Sequence, residues 1–174
     1  MSDRVALSTV PAPVSRRRLN PRAGLRIFHL TGQQCVIGWV EGQRSFRAGV
    51  LDVGTGELLG AAPIIGDLTG FLADERVLWL LTSFGLQEID RESFGIRRSL
   101  KSGLPKYASR LLPVAPHHAL VVAKYSQSHP VIDLRTMSIT GRVRIPEPSI
   151  AMPASGATVL LSLRYGVRRA LRPE

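Results

Sequence analysis

The chain has 174 residues, 44% hydrophobic and 21% charged, which excludes a disordered composition and leaves room for one domain with a sizeable core. Its formal net charge is +10, carried by 20 Arg and only three Lys (Lys101, Lys106 and Lys124), a bias that bears on solubility and association more than on fold. A single cysteine, Cys35, excludes an internal disulfide and reads as a buried core thiol. No run approaches 18 uninterrupted apolar residues, so no membrane-spanning helix is expected.

Residues 1–24 read as a flexible basic leader, marked by Pro11, Pro13, Pro21 and the run Arg16-Arg17-Arg18. No apolar core of a signal peptide follows the arginines, and the prolines break the helix a transit peptide needs. A cytoplasmic location is therefore expected. The charge is uneven beyond the leader. Residues 41–90 hold three Arg against eight acids, and residues 134–174 hold seven Arg against two.

From about residue 25 the chain turns to short apolar runs bounded by Gly, Pro, Ser and Asp, which is the strand signature. The first is Cys35-Val36-Ile37-Gly38-Trp39-Val40. The next are Val77-Leu78-Trp79-Leu80-Leu81, Ala119-Leu120-Val121-Val122-Ala123 and Val159-Leu160-Leu161-Ser162-Leu163. Their starts lie 42, 42 and 40 residues apart. No stretch of 12 residues keeps a clean helical period, so the chain is predicted to be nearly all β.

A second marker keeps step with these strands. An apolar residue and Asp precede a turn and another strand at Leu51-Asp52, Ile89-Asp90 and Ile132-Asp133. Asp at the head of a turn accepts hydrogen bonds from backbone N–H groups two or three residues on. Thr55, Ser93 and Thr136 stand three residues later and add a hydroxyl. Gly56 then supplies the left-handed residue of a bulged hairpin in the first copy. The second copy reads as one residue late, with Gly95 after Phe94, and the third has Met137 where Gly is expected. Asp52, Thr55, Gly56, Asp90, Ser93, Asp133 and Thr136 are thus expected to form turns.

A period near 41 residues with four short strands is the size of a propeller blade. The segment Leu51-Asp52-Val53-Gly54-Thr55-Gly56-Glu57-Leu58 resembles the repeats of PQQ-like and YVTN-type β-propellers. The resemblance covers residues 25–174. It departs where many PQQ-type repeats carry Trp, since Gly60 and Arg98 stand there. It implies an all-β partial β-propeller of about four consecutive four-stranded antiparallel blades, the last incomplete. The units fall at approximately 25–66, 67–104, 105–147 and 148–174.

Function is expected to be that of a non-catalytic interaction scaffold, binding a protein partner or another copy through blade edges. The alternative is a fragment of a propeller enzyme of the quinoprotein or lactonase kind. A further alternative comes from Val50-Leu51-Asp52-Val53-Gly54-Thr55-Gly56, which resembles the Gly-rich cofactor turn of S-adenosylmethionine-dependent methyltransferases. Glu57 stands where that family has its third glycine, and the helices of its doubly wound fold are not predicted.

No catalytic residue, cofactor site or metal site is assigned. His117-His118 has no carboxylate or Cys at ligand spacing, and His29 and His129 read as surface or edge residues. The pairs Arg97-Arg98, Arg142/Arg144 and Arg168-Arg169 lack the interleaved aromatics of nucleic-acid readers, so nucleic-acid binding is not expected.

Overall fold

A computed structural model describes residues 24–42 and 45–145, together with the backbone of three later strands. The expected leader, residues 1–24, lies outside the described residues except for Gly24. The first sheet joins β1 (Arg26–Thr31), β2 (Gln34–Glu41), β3 (Ser45–Asp52) and β4 (Leu58–Ile64). The second joins β5 (Leu68–Ala73), β6 (Val77–Thr82), β7 (Gly85–Asp90) and β8 (Ile96–Leu100). The third joins β9 (Ala108–Ala115), β10 (His118–Ala123), β11 (Ser128–Asp133) and β12 (Ser138–Arg144). A three-stranded sheet follows, with β13 (Pro148–Pro153), β14 (Val159–Leu163) and β15 (Gly166–Ala170). Every sheet is an antiparallel meander in chain order, and the described residues contain no helix.

The core lies between sheets. Val36, Ala48, Val50, Ala62 and Ile64 of the first blade meet Leu68, Leu78, Leu80 and Ile89 of the second. Phe28 on β1 and Phe71 on β5 meet edge to face, with ring centroids 5.8 Å apart. The opposite face of the second blade, with Leu81 and Leu86, meets Ala108, Leu111, Ala119, Val121 and Ile132 of the third. The third blade's other face gathers Leu112, Val114, Leu120, Val122 and Ile145.

This arrangement explains the unbroken apolar runs. A strand buried on one face alternates apolar and polar residues, whereas one buried on both faces does not. Five of the six residues of β6, and five of the six of β10, are buried. Burying each Leu or Val side chain contributes about 1.5–3 kcal/mol. The fourth strands differ, because each ends its sheet. β8 and β12 are mostly exposed and carry Arg97, Arg98, Arg142 and Arg144, and charge on an edge strand discourages pairing with another chain.

Polar clasps join neighbouring blades. The Arg98 guanidinium pairs with the Glu88 carboxylate, which is 5% exposed, and also donates to the carbonyls of Leu134 (3.2 Å) and Arg135 in the next blade. Arg91 donates to the Asp74 carbonyl at 2.6 Å and to Gln34 Oε1 of the first blade at 3.4 Å. A buried carboxylate is tolerable only when paired, so Arg98 serves Glu88 and the blade junction together. His129 is fully buried, not at a surface or edge, and burial lowers its pKa. Its Nδ1 accepts from the Ala123 N–H at 3.4 Å.

The left-handed turn residue sits at the same offset from Asp in all three blades: Gly56 (φ 70°), Phe94 (φ 55°) and Met137 (φ 54°). The second turn is therefore not one residue late, and the third needs no glycine. Left-handed backbone costs a side-chain-bearing residue about 1–2 kcal/mol. At Phe94 the ring packs into the junction between the first two blades and lies directly over Gly60, where any Cβ would collide with it. Met137 is 7% exposed, in the junction between the second and third. Burial offsets the strain at both.

The pair Phe94→Ala and Phe94→Gly tests this balance. Both lose the ring and are expected to destabilise by a few kcal/mol in urea denaturation. Glycine also removes the left-handed strain, so Phe94→Gly should be the more stable of the two by about 1 kcal/mol. The reverse order would contradict the balance.

Candidate interaction surface

Alternation of strand direction sorts the turns onto two ends of the array. One end carries the turns after β1, β3, β5, β7, β9 and β11. The other carries the turns after β2, β6 and β10 and the links between blades.

At the first end the marker carboxylates are used up in local structure. Asp52 Oδ1 accepts from the Thr55 N–H at 2.9 Å, and Thr55 Oγ1 accepts from the Glu57 N–H at 3.3 Å. Gly56 donates to the Asp52 carbonyl at 2.8 Å. Asp90 Oδ1 accepts from the N–H groups of Glu92 (2.9 Å) and Ser93 (2.8 Å) and from the Ser93 hydroxyl (3.0 Å), and its other oxygen pairs with Arg97. Asp133 Oδ1 accepts from the Arg135 N–H at 2.8 Å, and the hydroxyls of Thr136 and Ser138 share a hydrogen bond of 2.7 Å. The residue after each Asp donates to the preceding hairpin: Val53 to the Gln33 carbonyl (2.7 Å), Arg91 to Arg76 (2.9 Å) and Leu134 to His117 (2.7 Å). One tie thus repeats in three blades.

Val50–Gly56 therefore closes an antiparallel hairpin. A cofactor turn of the methyltransferase kind leads from a strand into a helix, and this one leads into β4. Of the basic pairs, Arg97 and Arg98 are engaged as described, and Arg142 and Arg144 hold loops. The side chains of Arg168 and Arg169 lie outside the described residues.

The second end has a different character. Phe84 in the β6–β7 turn is 66% exposed, Tyr107 before β9 is 68% exposed, and Tyr125 after β10 is 91% exposed. Ile65 is exposed in the link before β5. Phe84 and Tyr125 occupy equivalent places, since each follows a residue whose N–H is held by the preceding link: Ser83 by the Asp67 carbonyl (2.9 Å) and Lys124 by that of Tyr107 (3.2 Å). Tyr107 and Tyr125 stand edge to face, 6.1 Å apart with ring planes at 88°.

Both tyrosines have left-handed backbone, with φ of 60° and 62°. Here exposure gives no compensation of the kind found at Phe94 and Met137. His117 in the β9–β10 turn at the first end shares this exposed left-handed backbone, with φ of 61°, so the conformation belongs to these turns and does not by itself mark either end.

All three lysines of the chain lie at this end. Lys101 and Lys106 flank the link between the second and third blades, and Lys124 precedes Tyr125. All are exposed, and none makes an ion pair among the described residues. The loops beneath them are held in place. Arg142 donates to the Gly103 carbonyl at 2.7 Å, and Leu104 packs against the second junction. Arg144 donates to Gln127 Oε1 at 3.3 Å, and the Ser126 hydroxyl donates to the Ser128 carbonyl at 2.8 Å.

None of these aromatics was singled out from the sequence. Two signals could have found them: an aromatic recurring in a turn at Phe84 and Tyr125, one blade period apart, and lysines confined to residues 101–124 of an Arg-dominated chain.

The turn geometry has a pH signature. The Ser93 N–H above all, with the Ser93 hydroxyl, Arg97 and the Glu92 N–H, holds the Asp90 carboxyl at about 2, below its ordinary 3.8. A depressed pKa contributes stability that is present above the ordinary value and lost as pH falls through the folded one. Wild-type stability is thus expected to drop between pH 3.8 and about 2, with a shallower drop in Asp90→Asn, as read by thermal unfolding across that range. Equal slopes in the two proteins would contradict the assignment.

No protein-family model and no curated protein matches the chain. Solved structures do resemble it. Hydrazine synthase of Kuenenia stuttgartiensis aligns with a TM-score of 0.61 at 16% identity, covering 76% of this chain and 39% of that one. BamB from Moraxella catarrhalis aligns at 0.57 and 14%, covering 75% and 44%. The Pan2 WD40 domain of Neurospora crassa aligns at 0.58 and 16%, covering 79% and 45%. The chain spans less than half the length of each. These neighbours are β-propellers, and the three four-stranded meanders packed face to face give this chain the β-propeller fold.

Proposed function

We propose that the chain is a non-catalytic interaction scaffold of the β-propeller type, working in the cytoplasm on a protein partner. One observation carries this reading. The marker aspartates and the buried Glu88 are committed to turns and a blade junction, whereas exposed aromatics and lysines without an ion pair among the described residues gather on one end over anchored loops. Exposed aromatics on a rigid support are what a binding surface requires.

A second reading draws on the coverage of the structural neighbours. An arc spanning 39–45% of their lengths suits a piece of a larger propeller, including an enzyme of the quinoprotein or lactonase kind whose reacting groups lie on other blades.

The two separate experimentally. A tagged chain isolated from its own host is expected to migrate with a stoichiometric protein partner on size exclusion with light scattering. The same fraction should show no turnover in dye-linked quinone or lactone-hydrolysis assays. Turnover without a bound partner would overturn the scaffold reading.

A further inference from the structure

We infer that the end formed by Phe84, Tyr107, Tyr125 and the three lysines binds an extended acidic peptide segment of a partner protein, with aliphatic side chains among its carboxylates. The inference rests on the scaffold reading and gives it a ligand chemistry.

The surface is continuous. Phe84 adjoins Gly85, and a Cβ on Gly85 would lie 3.4 Å from the Cα of Lys101. The link from Lys101 reaches Lys106 and Tyr107, and the Tyr107 ring meets Tyr125 beside Lys124. Apolar and cationic groups therefore alternate over the junction of the second and third blades. Three exposed lysines without an ion pair among the described residues favour an anionic ligand, and three exposed aromatics with Ile65 favour apolar groups on that ligand.

The geometry favours a peptide over a nucleic acid. The tyrosine rings are perpendicular, so they do not offer parallel faces to successive bases. Asp67 belongs to the same end, so the ligand's carboxylates face the lysines and its aliphatic groups face Phe84. The lysines are point charges suited to solvated carboxylates, while the arginines nearest them, Arg142 and Arg144, spend guanidinium hydrogen bonds on Gly103 and Gln127.

The loops meet a ligand already ordered. Arg142, Arg144 and Leu104 fix the two loops that carry the lysines and tyrosines, so little ordering remains for binding. The left-handed backbone at Tyr107 and Tyr125 keeps both rings outside the fold.

The test is fluorescence anisotropy with the whole chain and three labelled probes: a dodecapeptide alternating Glu and Leu, its Lys–Leu counterpart, and a 12-nucleotide oligothymidylate. Saturable binding of the Glu–Leu peptide is expected, weakening as salt is raised. Tyr125→Gly and the double variant Lys106→Glu/Lys124→Glu should each weaken it at least about tenfold, or roughly 1.4 kcal/mol. Glycine suits the left-handed position, so Tyr125→Gly is expected to keep the wild-type circular dichroism. Absent Glu–Leu binding, binding unchanged in the variants, or tighter oligothymidylate binding would each overturn the inference. The combined variant Tyr125→Gly/Lys106→Glu/Lys124→Glu, the triple variant, isolated from the host separates the two claims. A native complex that survives the triple variant leaves the scaffold standing and refutes this surface, and its loss with a folded chain supports both.

Discussion

Each inner blade buries apolar side chains on both of its faces, and the second face is buried only because another blade lies against it. Leu78, Leu80 and Ile89 serve one junction of the second blade while Leu81 and Leu86 serve the other. A four-stranded meander taken alone would leave both of these rows in water. The junctions, and not the sheets, are therefore the units of stability, as in other repeat architectures. The strand order follows from the same condition, since the unbroken apolar runs of β6 and β10 lie inside their sheets and the arginine-bearing β8 and β12 close the edges of the second and third blades.

Polar groups are distributed around this constraint. The marker aspartates shape the turn after the third strand, and the residue after each of them, Val53, Arg91 or Leu134, ties that turn to the hairpin between the first two strands in three blades. Arg98 and Arg91 reach across junctions to carbonyls and side chains that burial would otherwise leave unpaired. With one end given to these ties, the opposite end is left to present side chains that the fold does not use. That division is what links the architecture to the proposed binding role.

Much of the fold was legible in the sequence because two-sided burial writes long apolar runs at a fixed period. Val77–Leu81 and Ala119–Ala123 show it directly. The turn residues were less legible. Reasoning from backbone preference expects glycine at a left-handed position, and Phe94 and Met137 violate it because their side chains fill the neighbouring junction. That compensation is tertiary and leaves no local signal. His129 read as a surface residue for the same reason, since its burial comes from parts of the third blade that the fold brings around it, among them the Ala123 N–H that its ring accepts. The candidate surface was the least legible. Tyr107 and Tyr125 lie 18 positions apart and meet only when the link before β9 folds against the turn after β10.

Native-state hydrogen exchange on the wild type and Leu80→Ala tests the junction account most directly. Leu80 lies on β6 but faces the first blade, and its truncation should cost about 2–4 kcal/mol. The account predicts that amides of β2 and β3 lose protection together with those of β6 and β7, by a similar amount. A loss confined to β6 and β7, with the first blade unchanged, would contradict it.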